Sequence, residues 1–229
     1  MKENPVLIVA AHPDDEVLGC GGTIARFCAE GREVHILLLA DGESSRDGLE
    51  HGTDSGKIPA RVLAAEEAGR ILGCLSIEVC NLPDNRLDSL DLLDIVKIVE
   101  DRVERTKAGT VFTHFYGDVN VDHRIVHEAV LAACRPQPGH SVKELFFFEV
   151  PSSTEWRPPQ SANSFAPGLF VDITSTLEKK MEALAAYKDE LRAFPHPRSV
   201  QAVEALARWR GATCGVFAAE SFVVGRKII

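Results

Sequence analysis

The 229-residue chain holds 45% hydrophobic and 26% charged residues, the balance of a soluble globular protein with enough length to bury a full core. A net charge of −9 argues against nucleic acid or an anionic membrane surface as partner. No apolar run approaches the ~20 residues a membrane-crossing helix needs, and residues 1–5 lead into a strand pattern without a signal-peptide core, so a cytoplasmic setting is expected. The six cysteines are scattered with no C-x-x-C pair, which reads as free thiols in a reducing compartment.

Residues 6–10 form a short apolar strand run, followed at once by His12-Pro13-Asp14-Asp15-Glu16. A helix is predicted over 19–30, stopped by Gly31, and a second apolar strand over 34–40. Strand, helix, strand in this spacing is a βαβ unit, so the two strands should run parallel. Residues 42–57 are rich in Gly, Ser, Asp and Glu and read as a substrate loop or lid on the edge that carries His12. Pro59 should open a helix reaching Leu72, closed by Gly73.

Further along, a strand is expected over 77–80, an amphipathic helix over 90–106 and a strand over 111–114. After the turn-forming residues 115–122, Asp122 is placed to cap a helix over 123–133. A strand over 145–150, an irregular Pro-rich stretch over 157–168 and a strand over 169–173 follow. Helices over 176–192 and 200–210 and a late strand over 221–224 complete the reading. With no repeats and no low-complexity linker, residues 1–229 are expected to form a single α/β domain with a helical C-terminal elaboration.

Strand carboxyl ends are where open α/β sheets place their crevices, and one imidazole with three carboxylates there calls for a divalent cation. A catalytic zinc-type site takes about three protein ligands and leaves a position for water. His12 and Asp15 supply two from one turn. His123 is the best-placed third ligand, with His127 as its rival one helical turn on. Asp14, pointing away from its neighbour, is free to take a proton from the activated water.

Ala11-His12-Pro13-Asp14-Asp15-Glu16 together with Asn120-x-Asp122-His123-Arg124 resembles the LmbE-like (PIG-L) superfamily of zinc-dependent N-deacetylases. Pro151 to Trp156, Phe170 to Ile173, Pro195 to Ser199, Arg210-Gly211 and Ala219 to Phe222 resemble its bacterial members, so the similarity spans nearly the whole chain. The resemblance implies a Rossmann-like three-layer fold with a mainly parallel sheet. It also implies removal of an N-acetyl group from a small amino sugar or its conjugate. His12, Asp15 and His123 would be the metal ligands, Asp14 the general base, Asp122 a buttress behind the ligands, and Arg61 part of the substrate pocket. The implied ion is Zn2+, with Fe2+, Mn2+, Co2+ or Ni2+ as substitutes, and relatives are often multimers, with residues 151–168 and Trp156 as the expected contact surface.

Two positions depart from the family pattern. Asn120 stands where several relatives carry a histidine that serves as acid or oxyanion donor, and Ala64 stands where an acidic residue is expected. Asn120 can donate a hydrogen bond but cannot deliver a proton, so His196, between two prolines, is the expected replacement, with His114 and Tyr116 behind it. Two other readings compete. A metal-binding relative without catalysis fits Asn120, and a dinucleotide-binding module fits Gly19-x-Gly21 and Asp41. Against the latter, three carboxylates intervene where the glycine fingerprint should follow the strand directly.

Overall fold

The computed structural model describes residues 4–41, 60–158 and 164–229. The elements in order are β1 (Val6–Ala10), α1 (Asp15–Ala29), β2 (Val34–Ala40), α2 (Ala60–Leu72), β3 (Ser76–Leu82), α3 (Leu92–Thr106), β4 (Thr110–His114) and α4 (Val121–Ala133). They continue with β5 (Glu144–Phe148), β6 (Leu169–Asp172), α5 (Leu177–Ala186), α6 (Val200–Cys214) and β7 (Ala219–Lys227). Short 3-10 turns occupy Leu87–Ser89 and Thr154–Trp156. The expected lid over 42–57 and the helix opening at Pro59 lie outside the described residues.

One seven-stranded sheet runs in the order β3-β2-β1-β4-β5-β7-β6. Neighbours from β3 to β5 are parallel, while β7 pairs antiparallel with both β5 and β6. The mixed but mainly parallel α/β sheet is Rossmann-like. Alternation along β1 explains the three layers: Val6, Ile8 and Ala10 face one core, Leu7 and Val9 the other. The first core packs under α1, α2 and α5, the second under α3 and α4. All five β1 side chains are fully buried, as expected of a central parallel strand covered on both faces.

The structure moves several boundaries. The first helix starts at Asp15 rather than residue 19, because Asp14 turns into the left-handed region (φ 115°) and lets the chain enter helix inside the motif. The predicted helix over 176–192 stops at Ala186, where Tyr187 turns inward to donate to Glu16 at 2.6 Å. The late strand is nine residues long rather than four and lies inside the sheet.

The glycine cluster does not end α1 but breaks it at Cys20 (φ −149°, ψ 22°). Here the helix lies so close to its neighbours that a Cβ on Gly19 would collide with the Phe148 ring and one on Gly22 with Ile173. The break frees backbone groups in the buried interior, where each needs a partner. Glu220 of β7 accepts from Gly22 N at 2.9 Å and Thr23 N at 2.7 Å, and Lys180 of α5 donates to Leu18 O at 2.9 Å. Lys180 and Glu220 then neutralise each other at 2.5 Å.

Candidate metal centre and active site

The carboxyl ends of β1 and β4 and the first turns of α1 and α4 meet at one point. His12 follows β1, Asp15 opens α1 and His123 sits in the first turn of α4; all three are buried. His12 Nδ1 lies 3.1 Å and His123 Nε2 3.2 Å from the same oxygen, Asp15 Oδ2. One ligand atom from each residue falls within 4.8 Å of the others.

The far side of each ring carries a carboxylate. His12 Nε2 is 3.1 Å from both Asp122 Oδ2 and Asp84 Oδ1, and His123 Nδ1 is 3.1 Å from Asp118 Oδ2. Asp122 also accepts from Leu87 N, and Asp118 from Asn120 N, Thr154 Oγ1 and Ser153 Oγ. These outer carboxylates hold the N–H of each neutral imidazole, which turns its lone pair toward Asp15. A lone pair facing a carboxylate oxygen is repulsive, twice over. Positive charge between them resolves the conflict, supplied either by two protons or by one cation. Among the described residues, buried Asp15 Oδ1 has no hydrogen-bond partner, and His123 Nε2 makes no well-formed hydrogen bond although Asp15 Oδ2 lies near it. Two nitrogens and a carboxylate converging in this way fit a small divalent cation.

The same carboxylates favour a proton on each ring. Burial pulls His12 down, but Asp122 and Asp15 outweigh it and push the ring up to about 10. His123 is likewise pulled down by burial and raised to about 9 by Asp15 and Asp118. Burial alone would raise Asp15, yet His123 and His12 hold it well below the usual carboxylate range. His114 stacks on His123 with centroids 3.9 Å apart, and its Nε2 accepts from Ala11 N at 2.8 Å, fixing the end of β1. His127, the rival ligand, instead meets His114 O at 2.9 Å through Nδ1.

Asp14 stands beside this cluster with its carboxylate turned to Arg198, whose Nη1 donates to Oδ2 at 2.9 Å. Burial raises Asp14 to about 7, against the pull of Arg198 and with a further push from Asp15. Glu16 accepts from Asp14 N at 3.0 Å and from Tyr187, and burial raises it to about 8.

The remaining expected residues are spread around this centre. Asn120, not Asp122, caps α4, accepting from Asp122 N at 2.8 Å; freed from capping, Asp122 serves His12. Among the described residues, Asn120 Nδ2 reaches Asn85 Oδ1, at 3.4 Å. Arg61 pairs with Glu190 at 2.5 Å, and its charge acts on Asp14. His196 Nδ1 accepts from Arg198 N at 3.0 Å, and its ring meets Trp156 edge to face. Sequence reading passed over Asp84, Asp118 and Arg198. Asp118 had a signal, the alternation Asp118-x-Asn120-x-Asp122 ahead of His123. Arg198 lies two residues after the proline-flanked His196, which by residue type was the better candidate for the acid.

Fold and site together define an α/β protein with a buried His-Asp-His set at the carboxyl edge of a mainly parallel sheet. The chain belongs to the PIG-L family, described as GlcNAc-PI de-N-acetylase, whose model matches residues 7–134, from β1 through the end of α4. It is 29% identical over 193 residues to a protein named "Uncharacterized deacetylase YaiS" of Escherichia coli, covering 82% of this chain and 92% of that one. It is 28% identical over 200 residues to 4-oxalmesaconate hydratase of Pseudomonas putida, covering 80% and 72%. The solved structure of the conserved protein TT1542 from Thermus thermophilus superposes with a TM-score of 0.77 at 30% identity, over 99% of this chain and 97% of that one. No helix among the described residues is long and apolar enough to cross a membrane.

Proposed function

We propose that this chain is a metal-dependent hydrolase that removes an N-acetyl or related N-acyl group from an amino sugar or its conjugate. The observation that carries the reading is the convergence of His12, Asp15 and His123 on one point, with the Asp14 carboxylate beside it and directed elsewhere. The family description and the deacetylase relative support the reaction and the amino-sugar class. In this reading residues 1–229 work as one domain.

His12, Asp15 and His123 would hold the ion, zinc in the first instance. Bound there, it would polarise the amide carbonyl and lower the pKa of its water, from 15.7 toward roughly 7 in favourable zinc sites. Asp14 takes the proton from the attacking water and returns it to the leaving nitrogen. Asp122 and Asp118 keep the two imidazoles in the tautomers that face Asp15. Asn120 offers an amide N–H, whose contact among the described residues is the long one to Asn85, to the carbonyl oxygen as it gains charge. His196 accepts at Nδ1, so its proton sits on Nε2, where it serves as a second donor. Arg61 lines the pocket for the sugar. Of the expected contact stretch, exposed Trp156 is the part offered to a second copy, whereas Ser152, Ser153 and Thr154 are buried.

The test pairs metal content with acetate release from a panel of N-acetylglucosamine conjugates, before and after chelation. About one divalent ion per chain and chelator-sensitive acetate support the reading. A hydratase among the relatives favours one specific second reading, addition of the same activated water to a carbon–carbon double bond. Bound metal with hydration of an unsaturated acid and no acetate from any amide would establish that one instead. Metal-free protein would sink both.

A further inference from the structure

Two residues at the candidate site share an unusual backbone. Asp14 has φ 115° and Ser152 φ 68°, in the left-handed region that non-glycine side chains rarely adopt. The other non-glycine cases among the described residues have local reasons: Asn81 and Asn85 are asparagines, which tolerate it, and Lys107 caps the end of α3. Asp14 and Ser152 lie in different segments, one after β1 and the other after β5. A single guanidinium ties them together. Arg198 donates from Nη1 to Asp14 Oδ2 at 2.9 Å and from Nε to Ser152 Oγ at 2.6 Å.

Arg198 is itself anchored. Its N–H donates to His196 Nδ1, and the next residue, Ser199, caps α6 by accepting from Ala202 N at 3.1 Å. The guanidinium is therefore the fixed partner, and the carboxylate turns to it. A planar fork that donates in two directions does this; an ammonium is a single point charge.

We propose that Arg198 is the positioning residue for Asp14, holding the carboxylate in the direction from which it accepts and returns a proton, with Ser152 keeping the guanidinium aimed. The inference rests on the deacetylase reading for its kinetic test and on the geometry alone for its structural one. The Nη1 and Nε contacts both go to protein groups, one of them the base itself, so loss of Arg198 should fall on turnover rather than on substrate affinity.

The experiment compares metal-loaded wild type with Arg198→Ala, Arg198→Lys and Ser152→Ala, and adds a crystal structure of Arg198→Ala. Arg198→Ala should lose ~100-fold in kcat, the cost of a misplaced catalytic group, with KM and metal content close to wild type. Arg198→Lys should recover only part of the loss, Ser152→Ala should show a smaller loss of the same kind, and free guanidinium should restore some turnover to Arg198→Ala in a saturable way. In the crystal, the Asp14 carboxylate should leave its present direction. Unchanged kcat, a rise in KM alone, or an Asp14 carboxylate that stays in place would each overturn the inference. If Arg198→Ala does not fold, Arg198→Lys and Ser152→Ala decide by the same criteria. A wild type that releases neither acetate nor another acyl group from any amide refutes the deacetylase reading, and the direction of Asp14 in the crystal then still decides the role of Arg198.

Discussion

Asp118 lies 3.1 Å from His123 Nδ1, on the opposite side of the ring from Asp15. It is fully buried and held by two hydroxyls from the segment after β5 and by a backbone N–H at the start of α4, so its position is determined before any ion arrives. Outer carboxylates of this kind orient the ligand and raise its basicity. Asp118→Ala should weaken divalent-ion affinity ~10–100-fold with the secondary structure kept. Competition against a chromophoric chelator checks it, and an unchanged affinity would remove Asp118 from the metal centre.

Among the described residues, Asp14 makes no hydrogen bond or ion pair with His12 or His123, and its carboxylate faces Arg198. Asp14→Asn removes the base while keeping shape. Turnover should fall by ~10²–10⁴, the range for loss of general acid–base catalysis, with about one metal per chain retained. Loss of metal in parallel with activity would make Asp14 a ligand rather than a base.

Metal binding should be coupled to protons. His12 and His123 titrate at about 10 and about 9 in the metal-free chain, so both carry a proton at pH 7.5 that the ion must displace. Calorimetry in buffers of different ionisation enthalpy should give a release of about two protons per ion at that pH. The same groups set the pH response of the metal-free fold. Their folded values lie above the unfolded 6.5, so their contribution to stability is full below pH 6.5. It is lost as the pH rises through about 9 and 10. The metal-free melting temperature should fall across that window, and the metal-loaded one should change less.

Glu220 and Lys180 are each about 4% exposed in their side chains, and Glu220 also accepts two backbone N–H groups at the break in α1. Glu220→Ala takes the counter-charge from a buried ammonium, which keeps its bond to Leu18 O, and leaves two buried backbone donors without partners. A loss of about 3–5 kcal/mol is expected from urea unfolding, the cost of breaking a buried pair. Replacing both members with apolar residues should not restore stability, because the two N–H groups stay unpaired. Full recovery in the double variant would show that the pair, and not the capping, is what matters.

The candidate metal centre was legible because its residues are concentrated. His12 and Asp15 lie within one turn after a strand, and His123 follows the next central strand of the sheet, so strand-end logic brings them together. Element boundaries were legible where a continuous apolar run is sharply bounded, as in β1 and β2. They were less so in β7, whose second half is half-exposed and carries Gly225, Arg226 and Lys227. Its antiparallel insertion between β5 and β6 is a matter of topology that local pattern does not encode. Asp122 was misread as a cap because Asp and Asn cap equally well, and which of them turns outward depends on His12, more than a hundred residues away. Arg198 was hidden for the same reason: its partners, Asp14 and Ser152, are remote in the chain.

The capping of α1 by Glu220 spans almost two hundred positions. During synthesis, the helix that presents Asp15 is complete in covalent terms long before its internal break can be satisfied. Contacts of such separation are slow to form, because a long loop must close first. The N-terminal half of the chain can therefore assemble β1 to β4 early, but α1 gains its buried partner only once β7 has threaded between β5 and β6. A ribosome-bound chain lacking β7 would hold every proposed metal ligand and still present a loosened centre, so competence at the site arrives among the last events of folding.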